Sequence, residues 1–106
     1  MKSEALVGVP TIETAVKVRY LAVLKGLAQE PERTVKLQGE SLGDLLKYLR
    51  KAEDSSLRAR FFNDGGEIRP DILVFINNVD ASLLGGTGAV LKDGDEVTFL
   101  PSVHGG

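Results

Sequence analysis

The chain has 106 residues, a length that fits one domain. Its formal charge of -2, from 13 Lys and Arg against 15 Asp and Glu, excludes a domain-wide basic face for nucleic acid. It has no cysteine and a single histidine, His104, which excludes disulfides, thiolate chemistry and any multi-histidine metal site within the chain.

From the N-terminus, MKSEALVGVPTIET carries only a short apolar stretch broken by Pro10, so residues 1–14 read as a flexible extension and not as a signal peptide. No apolar run approaches the ~20 residues that span a bilayer, and a cytoplasmic protein is expected. Residues 15–25, AVKVRYLAVLK, alternate Val16, Val18, Tyr20, Ala22 and Leu24 against the other face and read as a first strand. GLAQEPE is a turn or short helical turn, broken by Gly26 and Pro31. RTVKLQ, with Val35 and Leu37 on one face, reads as an adjacent second strand.

SLGDLLKYLRKAED is the clearest helix. Ser41 and Asp44 have capping-box spacing, and Leu42, Leu45, Leu46 and Leu49 form a stripe at i, i+3, i+4 and i+7. Lys47, Arg50 and Lys51 read as a solvated face near the helix C-terminus, where positive charge suits the dipole. NDGGE is a turn by composition. DILVFIN is a continuous apolar run of strand length, expected to be buried and central. NNVDASLLGGTG reads as irregular, with Leu83 and Leu84 as core plugs. KDGDE is a second turn. EVTFLP is the last strand, with Val97 and Phe99 on one face and Thr98 and Leu100 on the other. Pro101 lacks a backbone donor, so the sheet is expected to end there. The order predicts an α+β two-layer sandwich in which the leucine stripe packs on Val16, Val18, Val35, Leu37, Val97 and Phe99.

The chemistry available is sparse. One histidine and no cysteine support no nucleophilic triad, so no catalytic residue is assigned and the chain is read as a non-enzyme. The carboxylates of GEIRPD and DGDE are turn formers. Gly85, Gly86 and Gly88 match a phosphate loop poorly, with no GK[ST] and no following helix pattern. No metal set is apparent. What remains is the ending LPSVHGG. Glycine has no Cβ, so Gly105 and Gly106 can pass a narrow channel, and a terminal glycine carboxylate is the least hindered a chain can offer. Beyond Pro101, five residues reach at most about 17 Å.

The run LKDGDEVTFLPSVHGG is similar to the closing segment of the ubiquitin-like β-grasp sulfur carriers and modifiers. VKVRYLAVLKGLA looks like their first strand and DILVFINN like their central one. HGG, with RPDILVFIN and LLG upstream, resembles the ubiquitin-related modifiers of transfer-RNA thiolation; RARFFNDGGE looks more like the small archaeal modifiers. Over residues 15–106 the resemblance implies a ubiquitin-like β-grasp: a mixed sheet with one main helix on one face, a domain over residues 15–101 and a flexible di-glycine tail over residues 102–106.

It further implies a function. Gly106 would be adenylated by an E1-like enzyme, then thiocarboxylated from a persulfide donor for sulfur transfer to an accepting enzyme, or joined to target lysines. ATP and magnesium would belong to the activating partner, and the chain itself would bind no cofactor, nucleic acid or membrane. Gly105 and His104 would thread the partner's channel, and Leu100, Pro101 and Val103 are candidate partner contacts. An end at Gly106 would be ready for activation without prior cleavage. Molybdopterin carriers commonly place two prolines and a small residue before the glycines. This chain keeps one proline and has His104, which favours the modifier side over the alternative, the small subunit of molybdopterin synthase. A non-catalytic β-grasp interaction module with an inert tail is the third reading.

Overall fold

The structure is a computed structural model and describes residues 12–102. β1 (Glu13–Tyr20) turns Val16, Val18 and Tyr20 inward, as its alternation predicts. It stops at Tyr20, not at Lys25. Ala22 has φ 56° and ψ -134°, and the Leu24 N–H donates to the Leu21 carbonyl at 3.1 Å. This is the geometry of a type II′ turn. It throws the chain off the sheet into a short helix, α1 (Val23–Leu27), which buries Leu24. The strand pattern misled because residues four apart, such as Tyr20 and Leu24, share a face both in a strand and in a helix.

β2 (Glu32–Gln38) runs antiparallel to β1, pairing Val35 with Val16 and Arg33 with Val18. α2 (Leu42–Ala52) begins with both halves of a capping box: Ser41 Oγ accepts the Asp44 N–H at 3.0 Å, and the Asp44 carboxylate accepts the Ser41 N–H at 3.2 Å. Leu42, Leu45, Leu46 and Leu49 are all buried, so the stripe faces the sheet. α3 (Ser55–Phe61) follows after a break at Glu53 and Asp54, and the Asp54 side chain accepts the Leu57 N–H at 3.2 Å as its cap. The sequence reading left this segment unassigned. Its only core residues besides Phe62 are Leu57 and Phe61, one helical repeat apart, too few to define a period.

β3 (Ile72–Ile76) and β4 (Val79–Asp80) form a hairpin through Asn77 and Asn78, whose φ values of 50° and 71° fit a type I′ turn. Two 3₁₀ turns, Ala81–Leu84 and Gly86–Gly88, lead towards β5 (Glu96–Pro101). The sheet order is β2-β1-β5-β3-β4, with β1 and β5 parallel and the other neighbours antiparallel.

Two expectations are corrected here. The central strand is β5, not DILVFIN. β3 lies between β5 and a two-residue edge, and only Ile72 and Ile76 are buried, because the helices cover one face alone. Leu83 and Leu84 are not core plugs: they are 77% and 45% exposed. Ala81 and Ala89 take the buried positions there, small enough to bring the backbone close to α2, where the Leu42 N–H donates to the Ala89 carbonyl at 2.9 Å, and Leu91 is buried just beyond.

Under the helices, the Phe99 ring stacks on Tyr20 with centroids 5.6 Å apart and meets Phe61 edge-on at 4.8 Å. The rim of this core holds one polar cluster. Glu53 Oε2 accepts the Tyr20 hydroxyl at 2.5 Å and pairs with Arg33 Nη2 at 3.0 Å.

Candidate functional site

The last described residues, Pro101 and Ser102, close the central strand β5. β5 is paired on both sides, and Val97 and Phe99 are fully buried. Even-numbered residues of β5 hydrogen-bond towards β3: Asn77 N–H donates to the Glu96 carbonyl, and Ser102 N–H to the Asp71 carbonyl at 2.6 Å. Odd-numbered residues bond towards β1, as the Leu21 N–H to Phe99 carbonyl bond shows. The donor that Pro101 lacks would therefore have faced the Leu21 carbonyl. That carbonyl already accepts the Leu24 N–H of the type II′ turn, so proline is accommodated without an orphaned acceptor. Pro101 pairs with Ile72 and is buried. Its side chain is thus occupied with packing inside the fold. Leu100 points the other way and is half-buried on the outer face.

Leu100 has neighbours there that sequence reasoning did not single out. It is directly opposite Leu73, while Phe75 is opposite Thr98, which is also beside Arg19 of β1. Leu73, Phe75 and Leu100 form an apolar patch on the helix-free face, with Leu73 38% exposed. The outward alternation of DILVFIN is hidden because both of its faces are apolar; the register against β5 was needed to expose it. Towards β2 the same face becomes ionic, with Arg19 placed 3.0 Å from Glu32 and 3.5 Å from Glu96.

On the opposite flank, the residue that holds Ser102 is itself held. The Asp71 carboxylate accepts from Arg60 Nη2 at 2.9 Å, and this bond keeps its carboxyl below the usual carboxylate range. The base of the tail is fixed by backbone pairing and flanked by an apolar patch and an arginine-clamped loop. Val103, His104, Gly105 and Gly106 lie outside the described residues, as do residues 1–11 of the expected extension. Among the described residues no cluster of His, Cys, Asp and Glu is arranged to hold a metal ion, and no helix is long and apolar enough to cross a membrane.

A two-layer α+β fold of this kind can host many functions. Comparison with protein-family models decides which: the Urm1 (ubiquitin related modifier) family matches residues 15–106. The chain belongs to the ubiquitin-related modifier family. The ubiquitin-related modifier 1 homolog of Chlamydomonas reinhardtii is 37% identical over 99 residues, covering 86% of this chain and 97% of the alga's. Ubiquitin-related modifier 1 of Mycosarcoma maydis is 53% identical over 49 residues, 46% of each protein, so this chain spans less than half the length of that relative. Among solved structures, small archaeal modifier protein SAMP1 of Haloferax volcanii superposes with a TM-score of 0.73 at 30% identity, covering 87% of this chain and 99% of that one. The mixed sheet and its crossing helix are the ubiquitin-like β-grasp of these ubiquitin-like sulfur carriers and modifiers. Members of the ubiquitin-related modifier family are carriers and not enzymes in their own right, and they work with activating and sulfur-accepting proteins.

Proposed function

We propose that this chain delivers its own C-terminus: the Gly106 carboxylate is the reacting group, and an E1-like partner supplies the ATP site, the magnesium and the catalysis. The observation that carries this reading is the family match running from residue 15 through Gly106. In the first step a Gly106 carboxylate oxygen attacks the α-phosphorus of ATP and pyrophosphate leaves, giving an acyl-adenylate. In the second, the terminal sulfur of a protein persulfide attacks the acyl carbon and AMP leaves. A thiol then cleaves the resulting acyl disulfide, releasing Gly106 as a thiocarboxylate and forming a disulfide on the partner side. The thiocarboxylate passes its sulfur to an accepting enzyme of transfer-RNA thiolation. If a lysine amine reaches the activated carbonyl instead, the product is an isopeptide conjugate. These reactions are assigned to the cytoplasm.

Chain residues contribute access and docking. Gly105 clears the channel to the partner's ATP site because it has no Cβ. His104 and Val103 are spacer residues that contact the channel walls. The outer-face patch of Leu73, Phe75 and Leu100 seats the activating enzyme, since apolar groups clustered beside a delivery tail form a partner surface. The chain itself holds no cofactor in this scheme.

The test is intact-mass analysis after incubation with an activating enzyme, ATP and a persulfide donor. The expected product has one oxygen replaced by sulfur, and loses it when Gly105 and Gly106 are deleted. A wild-type chain that stays a plain carboxylate, while a control carrier is converted, would overturn the reading.

A further inference from the structure

An open cavity of about 450 Å³ lies between the end of α2, α3 and the loop that leads to β3. Arg50, Arg58 and Arg69 line it, with Asn63 on the loop and Asp64 as the one acidic residue of the lining. Three guanidinium groups against one carboxylate leave the cavity with an excess of positive charge, which favours an anionic occupant. Among the described residues, none of the three forms an ion pair with a carboxylate, whereas Arg19, Arg33 and Arg60 all do.

Backbone carbonyls hold these arginines in place. Arg50 Nη1 donates to the Gly66 carbonyl at 3.3 Å, Arg58 Nη1 to the Glu53 carbonyl at 3.1 Å, and Arg69 Nε to the Ala59 carbonyl at 3.1 Å. Each bond uses a donor and leaves others of the planar fork unassigned, and a carbonyl, unlike a carboxylate, cancels none of the charge. The loop is shaped to admit Arg50. Gly66 has φ +83°, and a Cβ there would stand 1.8 Å from Arg50 Nη1. Asn63 Oδ1 accepts the N–H groups of Gly65 and Glu67 at 2.9 and 3.1 Å, which fixes the turn.

The cavity also has a position. It shares Ala59 and Arg69 with a neighbouring depression lined by Arg60, Pro70 and Asp71. Asp71 is the residue whose carbonyl holds Ser102. The three arginines therefore lie one depression away from the base of the tail.

We infer that the Arg50–Arg58–Arg69 cavity is a docking site for an acidic segment of the protein that handles the tail, whose Asp or Glu carboxylates seat on the three guanidinium groups. The inference deepens the delivery reading above by naming the chemistry of the partner's surface. A carboxylate matches the arginine fork in bidentate geometry. A nucleic acid fits less well, because it needs phosphate contacts spread along a basic face, and this basic set is confined to one cavity of a chain with net charge -2.

The test titrates the ¹⁵N-labelled full chain with hexaglutamate at low salt, and in parallel with inorganic diphosphate and with a short single-stranded RNA. Saturable shifts at Asn63 to Arg69, and at the side-chain Nε–H of Arg50 and Arg69, are expected with hexaglutamate, and they should fade at high salt. The double variant R50Q/R69Q should bind about tenfold more weakly, with R50K intermediate because lysine lacks the fork. An unchanged affinity in the double variant, or shifts confined to the sheet face, overturns the proposal. Tighter binding of diphosphate or RNA at the same residues overturns it in favour of a phosphate ligand. The titration needs no tail chemistry, so a chain lacking Gly105 and Gly106 should bind hexaglutamate equally well. In ATP–pyrophosphate exchange with an activating enzyme, R50Q/R69Q should raise KM for the chain and leave kcat unchanged. If wild-type chain supports no exchange, the delivery reading fails while the cavity result stands on the titration.

Discussion

The Ser102 N–H donates to the Asp71 carbonyl at 2.6 Å, one residue past the proline that ends β5. The bond holds the last described residue against the segment that leads into β3. Removing the donor with Ser102→Pro should cost about 1 kcal/mol of stability, the net worth of one such bond, while Ser102→Ala should be near neutral. Denaturant unfolding of both variants checks this. In amide exchange the frayed variant should also lose protection at Leu100, whose N–H lies on the β3 side of the strand.

Ala22 adopts φ 56° and ψ -134°, a region that favours glycine. The strain is local and its relief should be visible. Ala22→Gly is expected to raise stability by about 1 kcal/mol, measured as a higher denaturant midpoint with unchanged slope. A fall in midpoint would mean that the flexibility gained by the unfolded chain outweighs the strain removed.

Burial pushes the Tyr20 hydroxyl far above its ordinary value, and the Glu53 hydrogen bond and charge push it further in the same direction. The folded chain therefore keeps this proton at pH values where the unfolded chain loses it. Stability from this group is complete below about pH 10 and falls as the pH rises above it, by up to about 1.4 kcal/mol per pH unit. Urea unfolding from neutral to strongly alkaline pH should show the decline in the wild type, and a shallower one in Tyr20→Phe. Equal slopes would remove Tyr20 as the cause.

Leu45 is fully buried and Leu83 is 77% exposed. Leu45→Ala should destabilise by about 2–5 kcal/mol, whereas Leu83→Ala should stay within about 0.5 kcal/mol of wild type. Thermal and denaturant unfolding distinguish the two directly.

Leu73 faces Leu100 across the helix-free sheet face. If that face seats the activating enzyme, Leu73→Asp should raise KM for the chain about tenfold in ATP–pyrophosphate exchange and leave kcat and fold stability near wild type. A change in kcat alone would place Leu73 outside the docking surface.

The amphipathic helix, its capping box and the inward faces of β1, β2 and β5 were readable because each is set by neighbours within a few residues. The stripe of Leu42, Leu45, Leu46 and Leu49 has the same meaning in any fold that offers it a sheet. The segments that misled were those where local pattern allows two outcomes. Leu24 has the same neighbours by strand or by helix spacing until Ala22 turns the chain. Leu83 and Leu84 look like core by composition, yet the small Ala81 and Ala89 take the inward positions.

By itself, then, the sequence determined the α+β class, the leucine face, the turn positions and a C-terminus with two residues of minimal bulk, because period, capping and side-chain size are local properties. Tertiary structure alone decided that β5 is central, that Leu73 and Phe75 join Leu100 on one open face, and that Arg50, Arg58 and Arg69 meet in one cavity beside the base of the tail. Those are relations between residues far apart along the chain. They follow from strand register and from how the helices cross the sheet, and no short-range pattern encodes either.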